Sequence, residues 1–140
     1  MSLTTLEKIA LGISGLTAFG IGAAILAAPH AFYASYGITL DGNASLLSEL
    51  RAPAAGLAAF GLLMLMGILR PAMAAVSKAA SLTVFLAFPA GRLIGLAIEG
   101  LPSTGILAAL VLELGVAMLC LVAFKRRVGR SQLAAARSKS

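Results

Sequence analysis

Four stretches of the chain are almost free of polar side chains, and the polar residues fall between them. The runs cover about 9–28, 50–69, 76–98 and 105–124. A helix rises ~1.5 Å per residue, so twenty residues give ~30 Å, the thickness of a bilayer's hydrocarbon. Each run therefore reads as a membrane-spanning helix. The first exceeds a typical signal-peptide core, and Pro29 directly follows Ala27 and Ala28, so it reads as a retained span.

The breaks between the runs carry their own signals. Pro29 to Glu49 is the longest connection. His30, Phe32, Tyr33 and Tyr36 before Gly37 predict a short interfacial helix on the periplasmic side, with aromatic rings at headgroup level. Asp41-Gly42 marks a turn, after which Asn43 or Ser45 caps the next helix. Pro53 falls either in the first turn of that helix or inside one that began near Ser45 and would be kinked there. Arg70-Pro71 ends the second run. Glu99-Gly100-Leu101-Pro102 is a tight turn that makes helices three and four antiparallel neighbours. The tail, 125–140, is basic and Ala/Ser-rich, either a short amphipathic helix or disordered. Gly15-Leu-Thr-Ala-Phe-Gly20 recurs as Gly56-Leu-Ala-Ala-Phe-Gly61, either the trace of an internal repeat in helices one and two or, the better reading, coincidence in a Gly/Ala/Leu-rich chain.

Composition agrees with the pattern. The chain has 140 residues, 60% hydrophobic and 11% charged, with a mean hydropathy of +1.01. Soluble domains carry roughly 25% charged residues, so the sequence reads as one all-α integral membrane domain, a four-helix bundle over 1–124. The net charge of +6 is gathered at one end, and a lipid surface explains it better than nucleic acid. Lys125, Arg126, Arg127 and Arg130 are expected to meet anionic headgroups. Lys8, Arg70, Lys78 and the tail share one side, facing Asp41, Glu49 and Glu99 on the other. The positive-inside rule then puts both termini in the cytoplasm.

Three places are expensive in a bilayer: Arg92, Glu113 and the Glu49/Arg51 pair. A charge near the centre costs about 2.5–3.5 kcal/mol on insertion scales. Arg92 lies seven residues, ~10 Å, inside the outer end of helix three. Glu113 lies ten residues, ~15 Å, inside the start of helix four. The hairpin between them predicts an ion pair in the outer half of the bundle, joined by Glu49 and Arg51. Arg92, Gly95 and Glu99 share a stripe, and Gly91 with Gly95 should let a neighbouring helix approach closely. Ala109, Ala117 and Cys120 share the Glu113 face, which should turn inward. Pro89 frees the Phe85 carbonyl and should kink helix three beside the charge. The pair is either glue that fixes helix register or a site for an anionic or carbonyl-bearing ligand, with Glu113 as counter-charge or proton acceptor. Phe32, Tyr33 and Tyr36 read as an interface belt and not a lid; Phe60, Phe85 and Phe88 read as packing.

Other chemistry is missing from the sequence. Cys120 is the lone cysteine and His30 the lone histidine, so neither a disulfide nor a thiolate or His-rich metal site can form. Met64, Met66, Met73 and Met118 lack metal-like spacing. No P-loop, nucleophile elbow, CxxC or HExxH occurs. No catalytic residue, metal or cofactor is assigned.

Ser48-Glu49-Leu50-Arg51-Ala52, Gly91-Arg92-Leu93, Glu99-Gly100-Leu101-Pro102 and Leu112-Glu113-Leu114 together resemble a family of small bacterial four-helix membrane proteins catalogued as a domain of unknown function. The resemblance runs from Leu6 to Phe124. It implies the four-helix membrane fold and no activity, and its charged motif positions fall here on Glu49, Arg51, Arg92, Glu99 and Glu113. The small multidrug transporters are similar in size, but they carry a carboxylate in the first helix, and Ile9 to Ala28 holds none. The expected function is a non-enzymatic membrane protein: an accessory subunit of a membrane complex, or a lipid or small-molecule binder, alone or as a homo-oligomer. A dimeric proton-coupled transporter using Glu113 and a membrane enzyme acting on lipid or quinone are the alternatives.

Overall fold

The computed structural model describes residues 3–139, with the side chains of 126–134 outside the description. Six helical elements follow one another: α1 (Thr5–Ala27), α2 (Pro29–Ala34), α3 (Ala44–Leu69), a single 3₁₀ turn (Pro71–Met73), α4 (Ala74–Glu99) and α5 (Thr104–Ser138). α1, α3, α4 and the Thr104–Lys125 part of α5 are long and apolar enough to cross a membrane. Leu16, Leu62, Leu69, Val76, Ile94 and Val111 are exposed on the outside of the bundle. An outer surface this apolar is rare on soluble monomers and suits a hydrocarbon surround.

Local chemistry sets the boundaries. α1 opens with a capping box: the Thr4 hydroxyl accepts from the Glu7 amide, and the Glu7 carboxylate accepts from the Thr4 amide. α2 starts on Pro29, and the turn after it uses Gly37 at φ 75°. Asn43 caps α3 by accepting from the Ser45 amide at 2.8 Å. α3 therefore begins at Ala44, which puts Pro53 inside the helix and not in its first turn. Gly100, at φ 92°, reverses the chain between α4 and α5. α5 continues as helix beyond Phe124 to Ser138, so the backbone of the tail is helical.

The four long helices pack in the order α1, α3, α4, α5 and back to α1, and α1 also touches α4 across the middle. α3 and α5 occupy the long diagonal and do not touch among the described residues. The tightest crossing is α1 on α3, and it is made by glycines. A Cβ at Gly61 would stand 2.4 Å from the Phe19 amide nitrogen and 2.7 Å from the Gly15 carbonyl. One at Gly22 would stand 2.5 Å from the Ala54 carbonyl. The two similar six-residue segments thus meet here, but in different roles. Gly15 and Gly61 are in the crossing; Gly20 and Gly56, their counterparts, have open space around them.

A buried polar column supports the end of the bundle near the N-terminus. Glu7 is fully buried and forms an ion pair with Lys78 of α4. The Lys78 ammonium sits 5.6 Å from the centre of the Phe124 ring. One turn further in, the Ser14 and Ser81 hydroxyls are 3.0 Å apart, and Ser77 donates to the Leu63 carbonyl. Lys78, one of the cations grouped on the N-terminal side, thus has its counter-charge inside the bundle, at Glu7. The Thr4-x-x-Glu7 spacing was the available signal for the cap.

Gly61→Ala is expected to destabilise the protein by about 1–3 kcal/mol, because a methyl there meets backbone. Gly20→Ala and Gly56→Ala are expected to stabilise it by up to ~1 kcal/mol through helix propensity alone. Equilibrium unfolding in mixed micelles measures all three.

Candidate functional site

The far end of the bundle carries the expensive charges. α4 arrives there with Arg92, two turns before the Gly100 reversal, and α5 leaves with Glu113 on its buried face. Arg92 Nε donates to both carboxylate oxygens, at 3.1 Å to Oε1 and 2.9 Å to Oε2. Glu113 is 5% exposed, and the Arg92 side chain is a quarter exposed. On the Glu113 face, Ala117 and Cys120 are buried and Ala109 is half-buried.

The connection between α1 and α3 folds back over this pair. The Ser103 hydroxyl donates to the Tyr36 carbonyl at 2.6 Å. Gly105 lies so close that a Cβ there would sit 2.7 Å from the Ser35 carbonyl. Together these tie the connection to the start of α5. Phe32, Tyr33 and Tyr36 form a cluster of edge-on rings, with centroids 5.0–6.4 Å apart. The Tyr36 ring centre is 5.9 Å from the Arg92 guanidinium carbon. Burial pushes the Tyr36 hydroxyl above its ordinary range, against the pull of the Arg92 charge, so the phenol stays protonated at neutral pH.

Between these groups lies a cavity of about 190 Å³. Its walls are apolar side chains from α1, α3, α4 and α5, with Phe32, Tyr33 and Tyr36 over one side and Arg92 and Glu113 as its charged groups. A dry cavity of ~150 Å³ lodges one benzene ring, so this one holds a substituted ring. Both hydrogen bonds to the carboxylate come from Arg92 Nε. The two Nη groups carry four more N–H bonds, shared with the Tyr36 hydroxyl, a further hydrogen-bond partner of Arg92.

Three of the five expected site residues lie elsewhere. Arg51 is exposed, and its Nε donates to the Leu26 carbonyl at 3.2 Å. It caps the end of α1, where unpaired helical carbonyls attract a cation. Glu49 and Glu99 are exposed, and neither lines the cavity. The Gly91/Gly95 pair meets no neighbouring helix, since nothing lies within 4 Å of either Cβ position. The aromatic trio is a wall of the cavity, not only a belt, and Phe85 and Phe88 line it as well. Phe60 is exposed. The missed signal was position: the trio follows the end of α1 by one turn, at the end of the bundle where Arg92 emerges. The headgroup contact expected of Arg126, Arg127 and Arg130 lies outside the described side chains, and Lys125 is exposed. Among the described residues no cluster of His, Cys, Asp or Glu could hold a metal ion.

Removing one partner of the pair leaves a bare charge, whereas removing both leaves none. Arg92→Leu is expected to lower stability by on the order of 2–3 kcal/mol, discounted for its partial exposure. Arg92→Leu/Glu113→Leu is expected to lose less than the single variant. Unfolding of both in mixed micelles tests the coupling, and additive losses would rule it out.

Among known proteins, residues 6–124 match a family model described as "Domain of unknown function (DUF4345)". No curated protein and no solved structure matches the chain.

Proposed function

The chain belongs to the DUF4345 family, and from that premise we propose that it is a non-enzymatic, multi-pass membrane protein that binds a small bilayer-soluble molecule in its Arg92–Glu113 cavity. The observation that carries this reading is the cavity itself. It is apolar, large enough for one ring, and closed on one side by a guanidinium that meets its carboxylate through Nε. Ligand sites are concave and mostly apolar, with a few placed polar groups that orient the ligand. Packing alone would have filled this space, since protein interiors are close-packed.

The cations Lys8, Arg70 and Lys78 lie at the end with the α1 N-terminus, and Lys125 is on the same side. With both termini cytoplasmic, as the positive-inside rule favours, the cavity opens in the outer half of a cytoplasmic membrane. Pro89, buried one turn before Arg92, has no N–H to donate to the Phe85 carbonyl, which weakens the helix beside the cavity.

The other readings have less support. For a proton-coupled transporter, Glu113 would need a polar route across the bundle. Buried Ala18, Val84 and Ala117 stand between it and the Ser14–Ser81 pair. For an enzyme, the lining offers no Ser, Thr, Cys or His.

Para-azidoacetophenone, a one-ring photoreactive ketone, tests the reading on protein in lipid nanodiscs. Adducts mapped by mass spectrometry are expected on cavity residues such as Ile21, Ile25 and Ile106. Val84→Trp, which fills the cavity, should lower that labelling at least tenfold. Labelling spread evenly over the lipid-facing surface and unchanged in Val84→Trp would sink the proposal.

A further inference from the structure

The cavity has a neighbour on the outside of the bundle. Arg92 and Phe88 line it from within, and the same two residues border a shallow groove of about 500 Å³ with Ala87 and Gly91. Gly91 keeps this groove open, because it is exposed and has no atom within 4 Å of its Cβ position. Ala87 and Gly91 are one turn apart on α4, so the groove follows that face of the helix. Phe88 is 42% exposed and stands between the two spaces. The groove faces outward, which in the reading above means toward acyl chains. A single chain lying along α4 would therefore end at Arg92, beside the cavity.

The charges select the head group. Arg92 and Glu113 already sum to zero. A second carboxylate would leave net negative charge in a site largely shielded from water, where an uncompensated ion is costly. An uncharged carbonyl oxygen accepts from an Arg92 Nη group without that cost. The cavity volume and the aromatic wall of Phe32, Tyr33 and Tyr36 suit one flat ring.

We propose that the occupant is a chain-bearing, ring-headed amphiphile drawn from the bilayer: an uncharged aryl or quinoid carbonyl. Its ring passes Phe88 into the cavity and accepts from Arg92, and its alkyl or isoprenoid chain stays in the Ala87–Gly91 furrow. This rests on the small-molecule binding reading and adds to it the class of ligand and the lateral route.

Two photoreactive ketones separate the claims, in nanodiscs of phosphatidylcholine. Para-azidoacetophenone has no chain and reports the cavity; para-azidophenyl undecyl ketone carries one. Gly91→Leu fills the furrow from a face that touches no other helix. Labelling of cavity residues by the chain-bearing ketone is expected to fall at least tenfold in Gly91→Leu, with labelling by the short ketone unchanged. Para-azidobenzoate, the charged counterpart, is expected to label the wild-type cavity at less than a tenth of the short ketone's level. Equal labelling of wild type and Gly91→Leu by the chain-bearing ketone overturns the furrow. Stronger labelling by the benzoate overturns the uncharged head. Either result leaves cavity binding standing, whereas no cavity labelling by either ketone in the wild type removes both readings.

Discussion

A guanidinium set among apolar helices must find a counter-charge, and this bundle is arranged around how Arg92 finds one. The carboxylate comes from the next helix, across the four-residue connection 100–103. It meets the guanidinium through Nε alone. A bidentate pair through the terminal nitrogens would have used the donors that point furthest from α4. The side-on pair spares them for other acceptors, the Tyr36 hydroxyl among them. Tyr36, laid over the guanidinium from the α1–α3 connection, adds a polarisable surface without adding charge.

The opposite face of the bundle solves a different problem. α1 and α3 cross where glycines bring backbone against backbone. In a membrane no hydrophobic effect drives helices together, so close van der Waals contact and buried polar pairs must hold them. The Gly15/Gly61 crossing supplies the first, and the Glu7–Lys78 and Ser14–Ser81 contacts supply the second. The rigid pair then serves as the wall against which α4 and α5 place the cavity.

Much of this could be read from the residues in order. Long apolar runs fix four helices because a span needs about twenty apolar residues, and Asp41-Gly42, Arg70-Pro71 and Gly100 mark the breaks. Arg92 and Glu113 could be paired from depth alone, since a tight hairpin leaves little freedom in register. Arg51 and Glu49 could not be placed that way, because they begin a helix whose rotation depends on packing. Arg51 turned to the nearest unpaired carbonyls instead. The Gly91/Gly95 spacing was ambiguous for a physical reason: small residues leave room equally for a helix or for a lipid chain. The cavity was invisible because it depends on the path of an irregular connection, and no periodicity encodes that path. Glu7 was hidden by its place at a helix start, where a carboxylate usually serves the cap; here it also serves Lys78.

Both cations of α4 in the bundle interior, Lys78 and Arg92, are answered by carboxylates on other helices, Glu7 of α1 and Glu113 of α5. α4 is also the least buried of the four spans, so packing gives it the weakest hold. During synthesis it leaves the ribosome when Glu7 is already in place but Glu113 is not. Until α5 follows, Arg92 has no counter-ion. The order of the chain thus makes a neutralised, settled α4 conditional on the arrival of α5.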